Sequence, residues 1–188
     1  NILVIYGSYR RERKGIRAAK FVVDELSKRC AVEFIDAKEV NLPMLDLRMF
    51  EYDEGTAPEN LQKASDALRR ADGVVIVTGE YNRSMPPGLS NFIDHFNAEY
   101  KNKPLGIVSY SSGTFGGVRA AEHLRTAVAN LGMIAFPAYY PIPVVQDAFD
   151  EEGRPLDDKT LPRFTRFLDK LIPFMEVIKE ANEQNRLG

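Results

Sequence analysis

The chain has 188 residues, 44% of them apolar and 28% charged, with a formal net charge of −2. That length suits one domain over residues 1–188 with a sizeable core, and the composition excludes a disordered chain. Lysine and arginine are spread along the sequence, so no basic surface for nucleic acid or an anionic membrane is expected, and no segment nears the ~20 apolar residues of a transmembrane helix.

The opening Ile2-Leu3-Val4-Ile5 has no basic flank and no small-residue cleavage site, and reads as a first strand, Ile2 to Tyr6, rather than a signal peptide. A helix follows over Gly15 to Arg29, with Ala19, Val22, Val23 and Leu26 at helical spacing. Cys30 is the only cysteine, so neither an internal disulfide nor a cysteine-rich metal site can form, and a cytoplasmic setting is expected. Lys28 and Arg29 beside it would favour a thiolate, although an incidental role is the plainer reading. A second strand, Val32 to Ile35, precedes a helix at Pro58 to Ala71. The third strand, Gly73 to Thr78, contains the continuous apolar run Val74 to Val77, which suits a strand covered on both faces. Then come a helix at Pro86 to Glu99, a strand at Pro104 to Tyr110, a helix at Gly116 to Leu131, a strand at Met133 to Ala138 and a last helix at Leu161 to Asn185. Five strands alternating with five helices, joined by right-handed crossovers, predict a flavodoxin-like α/β fold. Its sheet is doubly wound, parallel and five-stranded, in the order 2-1-3-4-5, with helices on both faces. Asn41 to Pro58 and Tyr139 to Leu161 are long connections, expected to border a site or a partner surface.

Ligands of such sheets sit beyond the carboxyl ends of the strands, where the loops after strands one, three and four meet. Loop one, Gly7 to Gly15, offers the Ser8 hydroxyl, the forked guanidinium of Arg10 and the start of a helix, which together suit a phosphate monoester. Neither a P-loop nor a GxGxxG string is present, so nucleotide binding of those two kinds is not expected. The bland alternative is a solvated basic turn. Loop three carries Glu80-Tyr81-Asn82, whose backbone amides could address the polar edge of a flavin ring with Tyr81 as an aromatic wall. Ser84 is placed to cap the next helix. Loop four, Ser109 to Ala120, is built of small residues that let backbone approach a flat ring and leave one ring face open.

Three motifs together resemble the NADPH-dependent FMN reductase family, whose relatives include quinone, azo and chromate reductases. They are Gly7-Ser8-x-Arg10, then Glu80-Tyr81-Asn82-x-Ser84-x-Pro86 with Leu89-x-Asn91-x-Ile93-Asp94, and the loop running through Ser111, Gly113, Gly116, Gly117 and Arg119. The resemblance spans roughly residues 2 to 131, with Gly79 where the family has proline and Ser90 where it has lysine. It implies cofactor contacts at Ser8, Arg10, Lys14, Gly15 and Ile16 in loop one. In loop three it implies them at Gly79, Glu80, Tyr81, Asn82, Arg83 and Ser84, and in loop four at Ser111, Ser112, Gly113 and Gly116. The implied reaction takes a hydride from NADPH onto FMN and passes electrons to free flavin, quinone or another small acceptor by a ping-pong mechanism. No catalytic acid or base and no metal are needed, and Arg83 and Arg119 are candidates to attract the phosphates of NADPH. The apolar stripe Leu89, Phe92, Ile93 and Phe96 reads most plainly as packing on the sheet; the family also implies a homodimer or homotetramer, with the helix that carries this stripe at the interface.

His95 and His123 lack metal-ligand spacing and read as satisfied histidines. Ser111 and Ser112 lack the GxSxG surroundings of a hydrolase nucleophile. Two other functions share the fold. A flavodoxin-type electron carrier would be more acidic and would sandwich its ring between aromatics. A module without flavin would keep the fold alone. A response regulator is excluded because strand one lacks an acidic cluster for Mg²⁺.

Overall fold

The computed structural model describes residues 1–187. Strands β1 (Ile2–Tyr6), β2 (Val32–Asp36), β3 (Gly73–Gly79), β4 (Pro104–Tyr110) and β5 (Ile134–Ile142) form one parallel sheet in the expected order 2-1-3-4-5. Helices α1 (Gly15–Ser27), α2 (Ala37–Val40), α3 (Glu59–Arg70), α4 (Pro87–Asp94), α5 (Val118–Ala129) and α6 (Thr160–Glu183) cover it. Side chains alternate across a strand, so β1 feeds two cores. Ile2, Val4 and Tyr6 pack with Val22 and Leu26 of α1 and Leu171 of α6. Leu3 and Ile5 pack on the other face with Leu61, Leu68, Leu89 and Leu124 from α3, α4 and α5.

Several boundaries differ from the sequence expectation for identifiable reasons. Strand β5 runs on to Ile142 through Pro137 and Pro141, with a register irregularity opposite Leu105 to Ile107. An edge strand pairs on one side only, so a missing N–H is tolerated there. The helix expected to reach Glu99 stops at Asp94, and Ala98–Tyr100 form a separate 3₁₀ turn. The Glu99 carboxylate accepts from the Asn97 amide, the Ser65 hydroxyl and Arg69, which draws this segment toward α3. Helix α5 starts at Val118 because Gly116 and Gly117 take φ of 63° and 78°. Helix α2 is too short for a periodic signal. The Asp36 side chain caps it by accepting from the Lys38 amide, and Asn41 ends it at φ 52°.

Strand one turns into loop one against α4, and the contact at Gly7 sets their spacing. A Cβ there would lie 2.8 Å from the Leu89 Cα and 2.9 Å from its Cδ1. Gly7→Ala should therefore push α4 outward and lower stability by about 1–3 kcal/mol in urea denaturation. An unchanged midpoint would contradict this packing.

Candidate active site

The loops after β1, β3 and β4 surround a cleft of about 360 Å³ at the carboxyl edge of the sheet. Of the residues expected from sequence, Ser8, Arg10, Lys14, Gly15, Glu80, Tyr81, Ser111 and Ser112 line it. Glu12, Arg13, Tyr110, Val145 and Gln146 line it as well.

Its floor is aromatic and hydroxylated. Tyr110 stands beside Gly79 in the β3–β4 register, and Tyr6 stands beside Val77 on the far side of β3. Because Gly79 has no side chain, the Tyr110 ring leans across β3 until its hydroxyl reaches that of Tyr6 at 3.3 Å. The same ring passes under Gly15, where any Cβ would fall onto it. Burial pushes the Tyr6 phenol up to about 12, against the lowering pull of hydrogen bonding from Tyr110 and Ser8 and of the Arg13 charge. Burial likewise raises Tyr110 well above the ordinary phenol value. Both are neutral donors at physiological pH. Beside them the buried Ser8 hydroxyl shares a 2.8 Å hydrogen bond with the Tyr81 hydroxyl.

The rim holds the charge. Arg10 and Lys14 make no side-chain hydrogen bond or ion pair among the described residues. Arg13 is occupied: it donates to Asp36 at 2.6 Å, Glu39 at 3.1 Å and the Ser8 carbonyl at 3.3 Å. It thereby braces loop one against the end of β2. Ile16, expected in the cradle, gives its amide to the Arg13 carbonyl at 3.0 Å and does not line the cleft.

Loop three is a tight turn rather than an open row of donors. Tyr81 and Ser84 exchange backbone hydrogen bonds across Asn82 and Arg83, both at positive φ (51° and 67°), the geometry of a two-residue hairpin turn. The Glu80 amide is taken by the Tyr110 carbonyl and the Tyr81 amide by Ser84. Of the three amides expected to face a ring, only that of Asn82 has no backbone partner among the described residues. Ser84 caps nothing: Pro86 holds the α4 N-cap, and the Ser84 hydroxyl meets His123 Nδ1 at 2.7 Å. The Glu80 carboxylate accepts from the Arg119 amide at 3.1 Å and its guanidinium at 3.3 Å. It thus caps α5, whose N-cap residue, Gly117, has no side chain for the purpose. This commits Arg119, which also stacks on Phe115 at 4.7 Å.

Loop four is braced from behind by the segment after β5. The Ser111 carbonyl accepts from Val145, the Gly113 carbonyl from Val144 and the Ser112 carbonyl from the Gln146 side chain. Val144 is held at φ 47°, a strained conformation for a β-branched residue. Gly113 faces open space, whereas a Cβ on Gly116 would lie 2.9 Å from Pro141 Cβ. Gly79, Asn82, Arg83, Ser84, Gly113 and Gly116 shape the surrounding loops without lining the cleft.

The remaining candidates resolve simply. Cys30 is half-buried and burial pushes its thiol up, the opposite of the thiolate its basic neighbours suggested. His95 is buried with Nδ1 2.7 Å from the Asn91 carbonyl. No group of three or more metal-ligating side chains occurs among the described residues. Two cations uncommitted among the described residues, a buried hydroxyl, a helix start and bare glycine backbone fit a phosphate monoester.

Comparison with known proteins agrees with this chemistry. A family model described as NADPH-dependent FMN reductase matches residues 1–147. A quinone reductase of Pseudomonas putida is 28% identical over 184 residues, covering 94% of this chain and 95% of that protein. The quinone reductase of Escherichia coli K12 is 34% identical over 152 residues, covering 75% and 81%. Among solved structures, the flavoenzyme NAD(P)H:(acceptor) oxidoreductase FerB of Paracoccus denitrificans superposes with a TM-score of 0.73 at 26% identity, covering 93% of this chain and 96% of that one.

Two outcomes follow from the geometry. Glu80→Ala should uncap α5 and lower stability by about 1 kcal/mol in chemical denaturation; an unaltered midpoint would show that the cap is idle. The fold favours the protonated phenols of Tyr6 and Tyr110. Their contribution is complete below the ordinary value of 10.0 and is lost as pH climbs toward about 12. The urea midpoint should fall steeply across that window, and Tyr6→Phe should flatten the fall.

Proposed function

This chain belongs to the NADPH-dependent FMN reductase family, and from that premise we propose that it is a ping-pong reductase of quinones and free flavins. The observation that carries the proposal is a single cleft that joins Arg10 and Lys14, uncommitted among the described residues, to Tyr81 of loop three and to Ser111 and Ser112 of loop four. FMN, when bound, would supply the redox chemistry: it takes two electrons from NADPH as a hydride with one proton from water, and returns two electrons and two protons to the acceptor.

The chain's own residues bind and orient. Arg10, Lys14, Ser8 and the backbone around Gly15 would hold the phosphate. The Tyr81 ring and the exposed Asn82 amide would bound the flat ring on one side, and loop four on the other. No side chain is asked to move a proton. Orientation of the two reactants is the protein's main contribution. Arg83, exposed on its tight turn, is the remaining candidate to attract the NADPH phosphates, since Arg119 is held by Glu80.

The same reading includes a homodimer or homotetramer in the cytoplasm. Its support is a set of exposed apolar side chains, Met44, Phe50 and Phe115, 62–82% exposed on loops beside α4 and α5. The first two lie on a segment fastened to α4 by Leu45 to Asn91 and Met49 to His95 hydrogen bonds. No described helix is long and apolar enough to cross a membrane.

Purified protein loaded with FMN should lose its visible flavin absorption band when NADPH is added without oxygen. The band should return on adding a quinone, and initial rates at several fixed quinone concentrations should give parallel double-reciprocal lines. FMN binding without bleaching would make the protein an electron carrier instead.

A further inference from the structure

The Tyr6–Tyr110 pair is more than core filling. Two features bring the Tyr110 hydroxyl to its position, and both are places where a side chain is absent. Gly79 leaves a gap on β3 through which the ring crosses, and a Cβ there would sit 2.9 Å from the hydroxyl oxygen. Gly15, the first residue of α1, leaves a second gap above it, and a Cβ there would sit 2.5 Å from the same oxygen. The hydroxyl therefore lies directly beneath the helix start at which an anion would settle, beside Ser8 and in the cleft that Arg10 and Lys14 also line. It donates to the Tyr6 oxygen at 3.3 Å, long for an O–H···O bond, whose usual length is about 2.7–2.8 Å, and the Ser8 hydroxyl also interacts with it. A donor held this loosely under an anion site is available to a better acceptor.

We propose that the Tyr110 hydroxyl donates to the phosphate of the bound flavin nucleotide, so that the cleft selects the phosphorylated flavin over the unphosphorylated one. The inference rests on the FMN-binding reading above and adds to it a donor that comes from β4, below the site, rather than from loop one. Tyr6 is the positioning partner: it holds the Tyr110 hydroxyl at the depth of the cradle and is itself completely buried. Packing alone would need the two rings but not the outer hydroxyl.

Tyr110→Phe separates the two roles because it keeps the ring. FMN and riboflavin affinities are measured by quenching of flavin fluorescence, on the parent and the variant. A lost bond to a charged acceptor should weaken FMN binding by about tenfold or more while riboflavin affinity stays within about twofold. Equal FMN affinity in parent and variant, or equal losses for both ligands, would overturn the proposal. Should the variant fold poorly, parent protein labelled with 3-fluorotyrosine gives a second readout. FMN should shift the Tyr110 fluorine resonance more than riboflavin does, and identical shifts would refute the contact. A parent that bleaches with NADPH while Tyr110→Phe binds FMN normally would sink this inference alone. A parent that binds no FMN would sink the functional reading with it.

Discussion

One close approach organises the carboxyl edge of this molecule: the Tyr110 ring lying against two bare glycines, Gly79 on β3 and Gly15 at the head of α1. Any side chain at either glycine would collide with the ring, so β3, β4 and α1 can come together here only with this combination of residues. Gly117 extends the constraint, because a Cβ on it would lie 2.5 Å from the Tyr110 carbonyl oxygen. Three loops from distant parts of the chain are thereby brought to one place by side chains that are missing. The space they enclose is aromatic and hydroxylated at its floor and charged at its rim.

Electrostatics then sorts the basic residues of loop one. Arg13 is spent on Asp36 and Glu39 and fastens the loop to β2, while Arg10 and Lys14 have no ion-pair partner among the described residues and sit at the cleft. Glu80 performs the matching task across the cleft by capping α5 and holding Arg119. A bidentate arginine contact to a phosphate needs a guanidinium that is not already occupied. Which arginine is free therefore matters more than how many the loop contains.

Much of the fold was legible because parallel strands buried on both faces read as unbroken apolar runs, as at Val74 to Val77. The three loops that meet at the cleft were legible from glycines and small residues at strand ends. The departures had local physical causes that periodicity does not register: prolines tolerated on the unpaired side of β5, Glu99 drawing a helix end toward Ser65 and Arg69, and two left-handed residues folding Tyr81 to Ser84 into a turn. The Tyr6–Tyr110 pair lies 104 residues apart in sequence and on strands that are not neighbours. Only the register of β3 between them, together with the glycine at its end, reveals that they meet. Val145 and Gln146 were foreshadowed only by the length of the connection in which they sit.

The account depends on an anion seated at the start of α1 with a ring extending between loops three and four. Backbone amide shifts in a ¹⁵N-labelled sample titrated with FMN report that placement directly. The largest changes should cluster at residues 8–15, at Tyr81 and Asn82, and at residues 111–113. Changes concentrated instead along the exposed edge of β2 around Phe34, or in the groove that Ser90 and Asp94 of α4 form with Ala127 of α5, would contradict it.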